Sequence, residues 1–428
     1  MKTIRRIAVL VLLASFTQAA EFFRDGDRVV FLGDSITEQK LYTTYIEAFA
    51  LTRHPDWKLT FRNAGWSGDT AWLRQRAHPD ENKLFAAQGE ELKAMVGKSV
   101  GDGLARDVLP LKPTAVTIDF GMNDHAYQAF RPDIFRAYAA SQTELVNVLK
   151  KNGARVALLT SQPIEEKGPD PDKDIRNLSL RQFADGLRDV ARTNGALFVD
   201  QFDPYLAILM RERATDPQAQ VGGGDAVHPG PAGQTIMAWA ILKSLGATPL
   251  VSSAEIKCGW WIRAKNEQNC NVSNIQLADG ALSFDRLDRA LPLPVDTRAE
   301  TALKLAPIVA DLDVYSLKVT GLKAAIYALS IDGCAAGTVT KAELEKGWNM
   351  SLVKSPMLDQ ARKVLALVFQ KNELFFNRWR NVQLNPSRQS ELPELDRQIA
   401  ELEAKIDEAR TPKPHHFEMK PVSSQPNG

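Results

Sequence analysis

A serine, a histidine and a carboxylate suited to act as nucleophile, base and orienting group occur in two short stretches of the chain. Ser35 follows Gly33 and Asp34 directly after an apolar run, and Asp225 precedes His228 by three positions. A serine hydroxyl attacks a carbonyl efficiently only when a base removes its proton, and that base needs an orienting partner. Of the three His-Pro pairs in the chain, only the one at His228 has a carboxylate three residues earlier. These residues indicate acyl transfer through a serine nucleophile.

Acyl transfer also needs hydrogen-bond donors for the oxyanion. Gly68 in the stretch "NAGWSGDT" allows a backbone amide to approach a substrate, and Asn123 in "GMND" offers an uncharged side-chain amide. The backbone amide of Ser35 is the third candidate donor. Taken singly, each stretch is also compatible with an ordinary turn or helix cap.

The elements that must position these residues are short apolar runs, which alternate with amphipathic stretches over residues 28–246. This alternation is typical of parallel strands joined by crossover helices, and the clearest helical pattern spans residues 132–152. We predict a three-layer α/β/α sandwich with an open, mainly parallel five-stranded sheet. Such sheets place their sites outside the carboxyl ends of the strands, so the candidate residues converge on one rim. The predicted strands are residues 29–32, 59–63, 115–120, 155–160 and 197–199.

Together these segments resemble the conserved blocks of the GDSL, or SGNH, hydrolase superfamily. The resemblance covers residues 28–246, and the absence of a G-x-S-x-G motif around Ser35 argues against the α/β-hydrolase fold. It implies an SGNH or flavodoxin-like fold and a mechanism without metal or cofactor. It further implies a catalytic triad of Ser35, Asp225 and His228 and an oxyanion hole of Ser35, Gly68 and Asn123.

The resemblance is strongest to carbohydrate O-acetylesterases, which implies an acetylated polysaccharide or oligosaccharide as substrate. Asp34, Trp66 and His125 are the candidate substrate contacts, because they lie beside the catalytic segments. Aromatic rings at such a rim can stack on a sugar, although packing is the competing interpretation and is favoured for Trp72. The polar, proline-rich segment 161–174 suits a hydrated ligand. Outside residues 1–20 the sequence has no extended apolar run of the kind that would form a lid.

Two other functions stay open. The first is a lipase-like, arylesterase or thioesterase activity on small acyl esters. The second is a non-catalytic glycan-binding protein on a hydrolase scaffold, which would use a β-rich module at residues 251–350 for adhesion. The complete set of catalytic residue types disfavours the second function, because a binding protein does not need it.

The first residues of the chain indicate an exported protein, and its net charge indicates no nucleic-acid partner. Residues 1–20 combine a basic start, an apolar run and small residues, which is the layout of a signal peptide and predicts secretion or a periplasmic location. No later segment is apolar enough to span a membrane, so we predict no membrane span after signal removal. The formal charge of +1 gives no electrostatic reason to bind nucleic acid. Three cysteines allow at most one disulfide.

The C-terminal region differs in pattern from the catalytic region. We predict a catalytic domain over residues 24–250, a β-rich module over 251–350, a helical segment over 351–410 and a disordered tail over 411–428. A short apolar stripe at helical spacing predicts a helix that packs on its own chain. The stripe consists of Leu395, Ile399, Leu402 and Ile406.

Overall fold

Five apolar runs form one parallel sheet in the computed structural model, which describes residues 21–168 and 170–422. The strands are β1 (Arg28–Gly33), β2 (Thr60–Gly65), β3 (Ala115–Asp119), β4 (Arg155–Leu159) and β5 (Leu197–Val199). Their order is β2-β1-β3-β4-β5, and all neighbouring pairs are parallel. The second strand extends two residues beyond its predicted end, because Ala64 and Gly65 pair with Leu32 and Gly33. The predicted signal peptide, residues 1–20, lies outside the described residues.

The side chains of β1 alternate between two hydrophobic cores. Val29 and Phe31 belong to one core, whereas Val30 and Leu32 belong to the other. Because successive residues of a strand point to opposite faces, the sheet is buried on both sides. The predicted three-layer α/β/α fold is therefore confirmed.

Helices cover both faces of this sheet. They are α1 (Ser35–Glu38), α2 (Leu41–Arg53), α3 (Arg74–Ala77), α4 (Glu81–Ala86), α5 (Gly89–Asp107), α6 (Pro132–Lys151), α7 (Ile175–Asn194), α8 (Phe202–Arg213) and α9 (Pro231–Ser244). Helices α2, α8 and α9 contribute mainly to the core of Val29 and Phe31, and α5, α6 and α7 mainly to the core of Val30 and Leu32. The predicted helix at residues 132–152 corresponds to α6, which Asn152 caps.

Two further sheets follow α9 and enclose a third core. Their strands are β6 (Leu250–Cys258), β7 (Ile262–Gln268), β8 (Cys270–Ala278), β9 (Ala281–Asp288), β10 (Val314–Thr320), β11 (Ile326–Ile331), β12 (Cys334–Thr340), β13 (Trp348–Asn349) and β14 (Pro414–Pro421). The sheet orders are β13-β10-β6-β7 and β12-β11-β14-β9-β8. Three short helices accompany them, α10 (Ala302–Leu305), α11 (Ile308–Leu312) and α12 (Lys341–Lys346).

Two long helices, α13 (Pro356–Phe376) and α14 (Leu392–Arg410), pack back onto the α/β unit. Between them lie a π-helical turn (Asn377–Gln383) and a 3-10 helix (Pro386–Glu391). Lys371 on α13 forms a buried ion pair with Glu47 on α2, and the neighbouring Asn372 donates to Oγ1 of Thr44 at 2.9 Å. The predicted stripe on α14 lies against its own chain, with Leu395, Ile399 and Ile406 buried and Leu402 partly so.

The predicted disorder of residues 411–428 is wrong for residues 414–421. These residues form β14, which lies between β11 and β9 in the middle of its sheet. The proline and polar residues suggested a disordered tail, but His415, Phe417 and Met419 alternate with exposed positions and are buried. Period-two burial against two neighbouring strands outweighs the composition. Residues 423–428 lie outside the described residues.

The three cysteines are unpaired in this fold. Cys258 is buried, Cys270 is partly buried and Cys334 is exposed. Across residues 21–168 and 170–422, no helix is long and apolar enough to cross a membrane.

Candidate active site

The carboxyl ends of the first three strands bring Gly33, Gly65 and Asp119 side by side. A Cβ atom at Gly33 would lie 2.1 Å from Oγ1 of Thr37 and 2.8 Å from the carbonyl oxygen of Asp119. A glycine at this position therefore allows α1 to begin directly above the end of β1. This close approach explains why an apolar strand ends so abruptly, and it places Ser35 at the first position of α1.

Ser35, His228 and Asp225 form a hydrogen-bonded line at this rim. The hydroxyl oxygen of Ser35 lies 2.9 Å from Nε2 of His228. Nδ1 of the same imidazole lies 3.1 Å from Oδ2 and 3.3 Å from Oδ1 of Asp225. In this order the groups can pass a proton from hydroxyl to imidazole while the carboxylate stabilises the resulting imidazolium.

The carboxylate of Asp225 is held by its own turn. Its Oδ1 accepts hydrogen bonds from the backbone amides of Val227 at 2.8 Å and His228 at 2.7 Å. Desolvation raises the pKa of Asp225, but these backbone hydrogen bonds and the imidazole outweigh it and hold the pKa below its ordinary value. The side chain of Asp225 is 67% exposed, so the site is open to solvent on this side.

Two buried side chains hold the loop at residues 221–230, which we call the histidine loop. Oε2 of Glu165 accepts hydrogen bonds from two backbone amides of this loop, at 2.9 and 3.2 Å. Nε2 of Gln162 donates to the carbonyl of Val227 at 2.8 Å. Both residues belong to the segment 161–174, whose polar, proline-rich sequence suggested that it suits a hydrated ligand. That interpretation is wrong for residues 161–165, which are buried and support the histidine loop instead.

Asn123 contacts the loop after β2 at Asp69, the residue that follows Gly68. Nδ2 of Asn123 donates to the carbonyl of Asp69 at 3.0 Å, the only hydrogen bond of this nitrogen among the described residues, so its second hydrogen remains available. The φ angle of Gly68 is +76°, a conformation that favours glycine. Residues 66–69, which we call the oxyanion loop after their predicted role, thus hold Gly68 one position before the carbonyl that Asn123 contacts.

Asp124 joins Ala71, two residues beyond the oxyanion loop, to the segment after β3, and sequence reasoning did not identify it. Its Oδ1 accepts from the backbone amide of Ala71 at 2.8 Å, and its Oδ2 accepts from that of Gly121 at 2.9 Å. Burial raises the pKa of Asp124 to about 8. Its position directly after Asn123 is the one signal in the sequence that points to this role.

Asp34 was predicted to contact substrate, but the structure buries it. Only 2% of the residue is exposed, and its Oδ1 accepts from the backbone amide of Ile36 at 2.9 Å. Burial and the nearby carboxylate of Asp119 raise the pKa of Asp34. Asp34 therefore caps α1 and positions Ser35 from behind.

His125 is also buried and not open to a sugar. Its ring packs 5.1 Å from the ring of Tyr127 and 6.5 Å from that of Phe183, measured between centroids. Burial lowers its pKa to about 4, so the imidazole is neutral near pH 7. Tyr127, by contrast, is 42% exposed, and its hydroxyl donates to Oδ1 of Asn123 at 3.3 Å.

Trp66 is covered by cations rather than presented as an open platform. The guanidinium carbon of Arg380 lies 3.6 Å from the centroid of its ring, and those of Arg106 and Arg76 lie at 5.2 and 5.3 Å. The prediction that Trp66 stacks on a sugar therefore gives way to a packing role. Trp72 is buried, and its Nε1 donates to Glu81 at 2.8 Å, in line with the packing role favoured for it.

Comparisons with known proteins show to which proteins this chain is similar. Residues 31–236 match the model of the GDSL-like lipase/acylhydrolase family. An acetylxylan esterase from Geobacillus stearothermophilus is 26% identical over 232 residues, which cover 52% of this chain and 94% of that protein. The structure of a gut microbial diltiazem-metabolizing enzyme has a TM-score of 0.76 at 24% identity, covers 95% of this chain and 100% of its own, and so shares the fold including the C-terminal elements. Through residues 31–236 the chain resembles the GDSL-like lipase/acylhydrolase family, and it is a carboxylic ester hydrolase.

Proposed function

We propose that this chain is an exported serine esterase that removes acetyl groups from polysaccharides. The observation that carries the proposal is the line of hydrogen bonds from Ser35 through His228 to Asp225. Ser35 is the nucleophile, His228 is the general base, and Asp225 orients the imidazole. The backbone amides of Ser35 and Gly68 and the side-chain amide of Asn123 form the oxyanion hole.

The reaction proceeds in two halves. Oγ of Ser35 bonds to the ester carbonyl carbon as its proton moves to Nε2 of His228, and the three donors stabilise the negative oxygen. The bond to the sugar oxygen then breaks, and His228 returns the proton to that oxygen. In the second half, water bonds to the acyl carbon as His228 takes a proton from that water. The bond between the acyl carbon and Oγ of Ser35 then breaks, acetate leaves, and His228 returns the proton to Oγ.

Two observations support a polysaccharide as the alcohol side of the ester. The acetylxylan esterase of Geobacillus stearothermophilus aligns over 94% of its own length with 52% of this chain. The rim is also open, because the side chain of Asp225 is 67% exposed and that of His228 is 34% exposed. An open rim admits a bulky, hydrated chain. Tyr127, exposed beside Asn123, replaces Trp66 and His125 as the aromatic residue suited to contact a sugar.

Export rests on the sequence of residues 1–20, whose basic start, apolar run and small residues match a signal peptide. Acetylated polysaccharides too large to enter a cell require an esterase outside the cytoplasm. We therefore propose a secreted or periplasmic location. N-terminal sequencing of the protein recovered from its native host tests this, since cleavage near Ala19 or Ala20 is expected.

The substrate is tested with acetate, butyrate and octanoate esters of one leaving group, followed by acetate release from acetylated xylan and pectin. Each added methylene must gain about 0.8 kcal/mol of burial or be rejected, and an acetyl-specific site lacks the surface to bury it. We expect kcat/KM to fall from acetate to octanoate and acetate to be released from at least one glycan. The Ser35→Ala variant is the matched blank. A rise toward octanoate with no acetate from any glycan would instead favour a lipase-like or arylesterase activity.

A further inference from the structure

We propose that Arg380, in the π-helical turn after α13, is a positioning residue for the oxyanion hole. It lies far from the catalytic residues in sequence and outside the segment that matches the family model. The proposal rests on the proposed function, because it concerns the geometry of the donors at Ser35 and Gly68. It assigns the helical segment a part in the reaction of the α/β unit.

Arg380 makes two contacts with the rim. Its Nη1 lies 2.8 Å from Oε2 of Glu38, and its guanidinium carbon lies 3.6 Å from the centroid of the Trp66 ring. The side chains of Arg380 and Glu38 are only 17% and 23% exposed. A planar guanidinium can pair with a carboxylate and stack on an indole at the same time, which an ammonium group does less well.

Glu38 links Arg380 to the two segments whose backbone amides are proposed as oxyanion donors. It is the last residue of α1, the short helix that begins at Ser35. Its Oε2 also accepts a hydrogen bond from the backbone amide of Ser67 at 2.9 Å. Ser67 directly precedes Gly68 in the oxyanion loop. One carboxylate oxygen therefore ties the helix of the nucleophile to the loop of the second donor, and Arg380 holds that carboxylate.

Trp379, the residue before Arg380, packs against the oxyanion loop. The Trp379 ring lies edge-on to Trp66 at 5.8 Å, and its Nε1 donates to Asp107 at 3.4 Å. Asp107 pairs at 2.9 Å with the buried Arg76. Arg76 in turn donates to Oδ2 of Asp69 at 2.8 Å, within the oxyanion loop.

Charge gives Arg380 a second effect on the reaction. Negative charge develops on the substrate oxygen in the transition state, and a carboxylate near the donors opposes it. Arg380 neutralises Glu38, which touches the loop one residue away from Gly68. Removal of the guanidinium would loosen the loop and also leave the Glu38 charge uncompensated.

The test compares Arg380→Ala, Arg380→Lys and a control, Arg388→Ala, in the full-length protein. Arg388 lies nearby in the 3-10 helix, where it pairs with Glu391 on the surface. For an acetate ester we expect Arg380→Ala to lower kcat by about 10-fold to 100-fold, less than loss of a donor itself, with little change in KM. Arg380→Lys should restore part of the rate, and Arg388→Ala should be unchanged. Affinity for a boronic acid inhibitor, whose serine adduct mimics the tetrahedral intermediate, should fall in parallel with kcat.

A double variant separates positioning from general destabilisation. In a Glu38→Gln background the loss caused by Arg380→Ala should shrink, because no carboxylate remains to be neutralised. Equal losses in both backgrounds, or a wild-type kcat in a folded Arg380→Ala protein, would overturn the proposal. If Arg380→Ala does not fold, the comparison is made with Arg380→Lys. Ser35→Ala, assayed in parallel, distinguishes the two hypotheses: full activity there defeats the proposed function itself.

Discussion

The hydroxyl oxygen of Ser35 lies 2.9 Å from Nε2 of His228, although 193 positions separate the two residues. Ser35 begins the helix after β1, and His228 lies just before α9. The two regions are fixed by the packing of α2 against α9, where the backbone amide of Tyr42 donates to Oε1 of Gln234 at 3.0 Å. The contact between nucleophile and base is therefore set within the α/β unit.

Ser35→Ala is expected to abolish ester hydrolysis and to leave thermal unfolding nearly unchanged. The substitution removes the nucleophile at a partly exposed helix start and opens no cavity in a core. The expected loss exceeds the roughly 10²–10⁴-fold of a general base alone, because the covalent route disappears. Initial rates with a chromogenic acetate ester and a melting curve measure both quantities. Turnover near the wild-type rate would remove Ser35 from the mechanism.

Asn123→Ala should lower kcat by roughly 10²–10³-fold with a smaller effect on KM, because an oxyanion donor acts mainly in the transition state. Tyr127→Phe is the matched control. It removes the hydroxyl that donates to Oδ1 of Asn123 and keeps the ring. Steady-state kinetics of both variants should show a large loss in kcat only for Asn123→Ala. Equal losses in kcat would mean that the hydrogen bond between Tyr127 and Asn123, rather than donation by the Asn123 amide, is responsible for the loss.

Asp225→Asn should reduce kcat but leave measurable activity. The new amide oxygen can still accept from the backbone of Val227 and His228, while its nitrogen no longer accepts from Nδ1 and favours the wrong tautomer. Because Asp225 is two-thirds exposed, water partly replaces it, so the loss should stay below the roughly 10⁴-fold known for a buried carboxylate. Unchanged kinetics would require another group to orient His228.

Stability should depend on pH through Asp119. Burial raises its pKa to about 7, and the unfolded value is about 3.9. Between these values the folded state holds a proton that the unfolded state releases, so this group lowers stability as pH rises from about 4 to 7. Urea unfolding from pH 4 to pH 7 should therefore show a smaller decline for Asp119→Asn than for the wild type. Parallel curves would show that Asp119 does not titrate in this range.

Lys371→Ala should cost about 3–5 kcal/mol of unfolding free energy, since it leaves the buried carboxylate of Glu47 without its cation. The lysine also donates to the carbonyl of Phe61 at 3.1 Å, so α13 loses a second link to the sheet. Lys363→Ala, on an exposed position of the same helix, is the control and should change stability by less than about 0.5 kcal/mol. A similar midpoint for both variants in chemical denaturation would contradict the role of the ion pair.

The sequence was informative about the residues that end strands. Gly33, Gly68 and Asn123 each follow an apolar run, and the ends of neighbouring parallel strands meet at one rim, so their convergence could be predicted from local patterns. The pairing of Asp225 with His228 was predictable for the same reason, because three positions separate them.

Residues that act through long-range or buried polar contacts could not be predicted in this way. Asp34 and His125 are polar and close to catalytic segments, which suggested exposure, whereas tertiary packing buries both. Glu165 supports a loop 56 positions away, and Arg380 contacts a carboxylate 342 positions away. Neither hydrophobic periodicity nor a short sequence motif indicates contacts between residues so far apart in the chain. The same limit applies to β14. Its neighbours β9 and β11 lie in the predicted β-rich module, whereas β14 itself lies in the segment that was predicted to be disordered.

The position of β14 also determines when the C-terminal sheet can close during synthesis. Its neighbours β9 and β11 are complete by residues 288 and 331, but the strand between them begins only at residue 414. At 5–20 residues per second, β9 waits on the order of ten seconds for its partner, with an unpaired edge that invites aggregation. A ribosome that stops, or a protease that cuts, shortly before residue 414 would leave two open edges. The C-terminal sheet is therefore complete only once β14 has been added between β11 and β9.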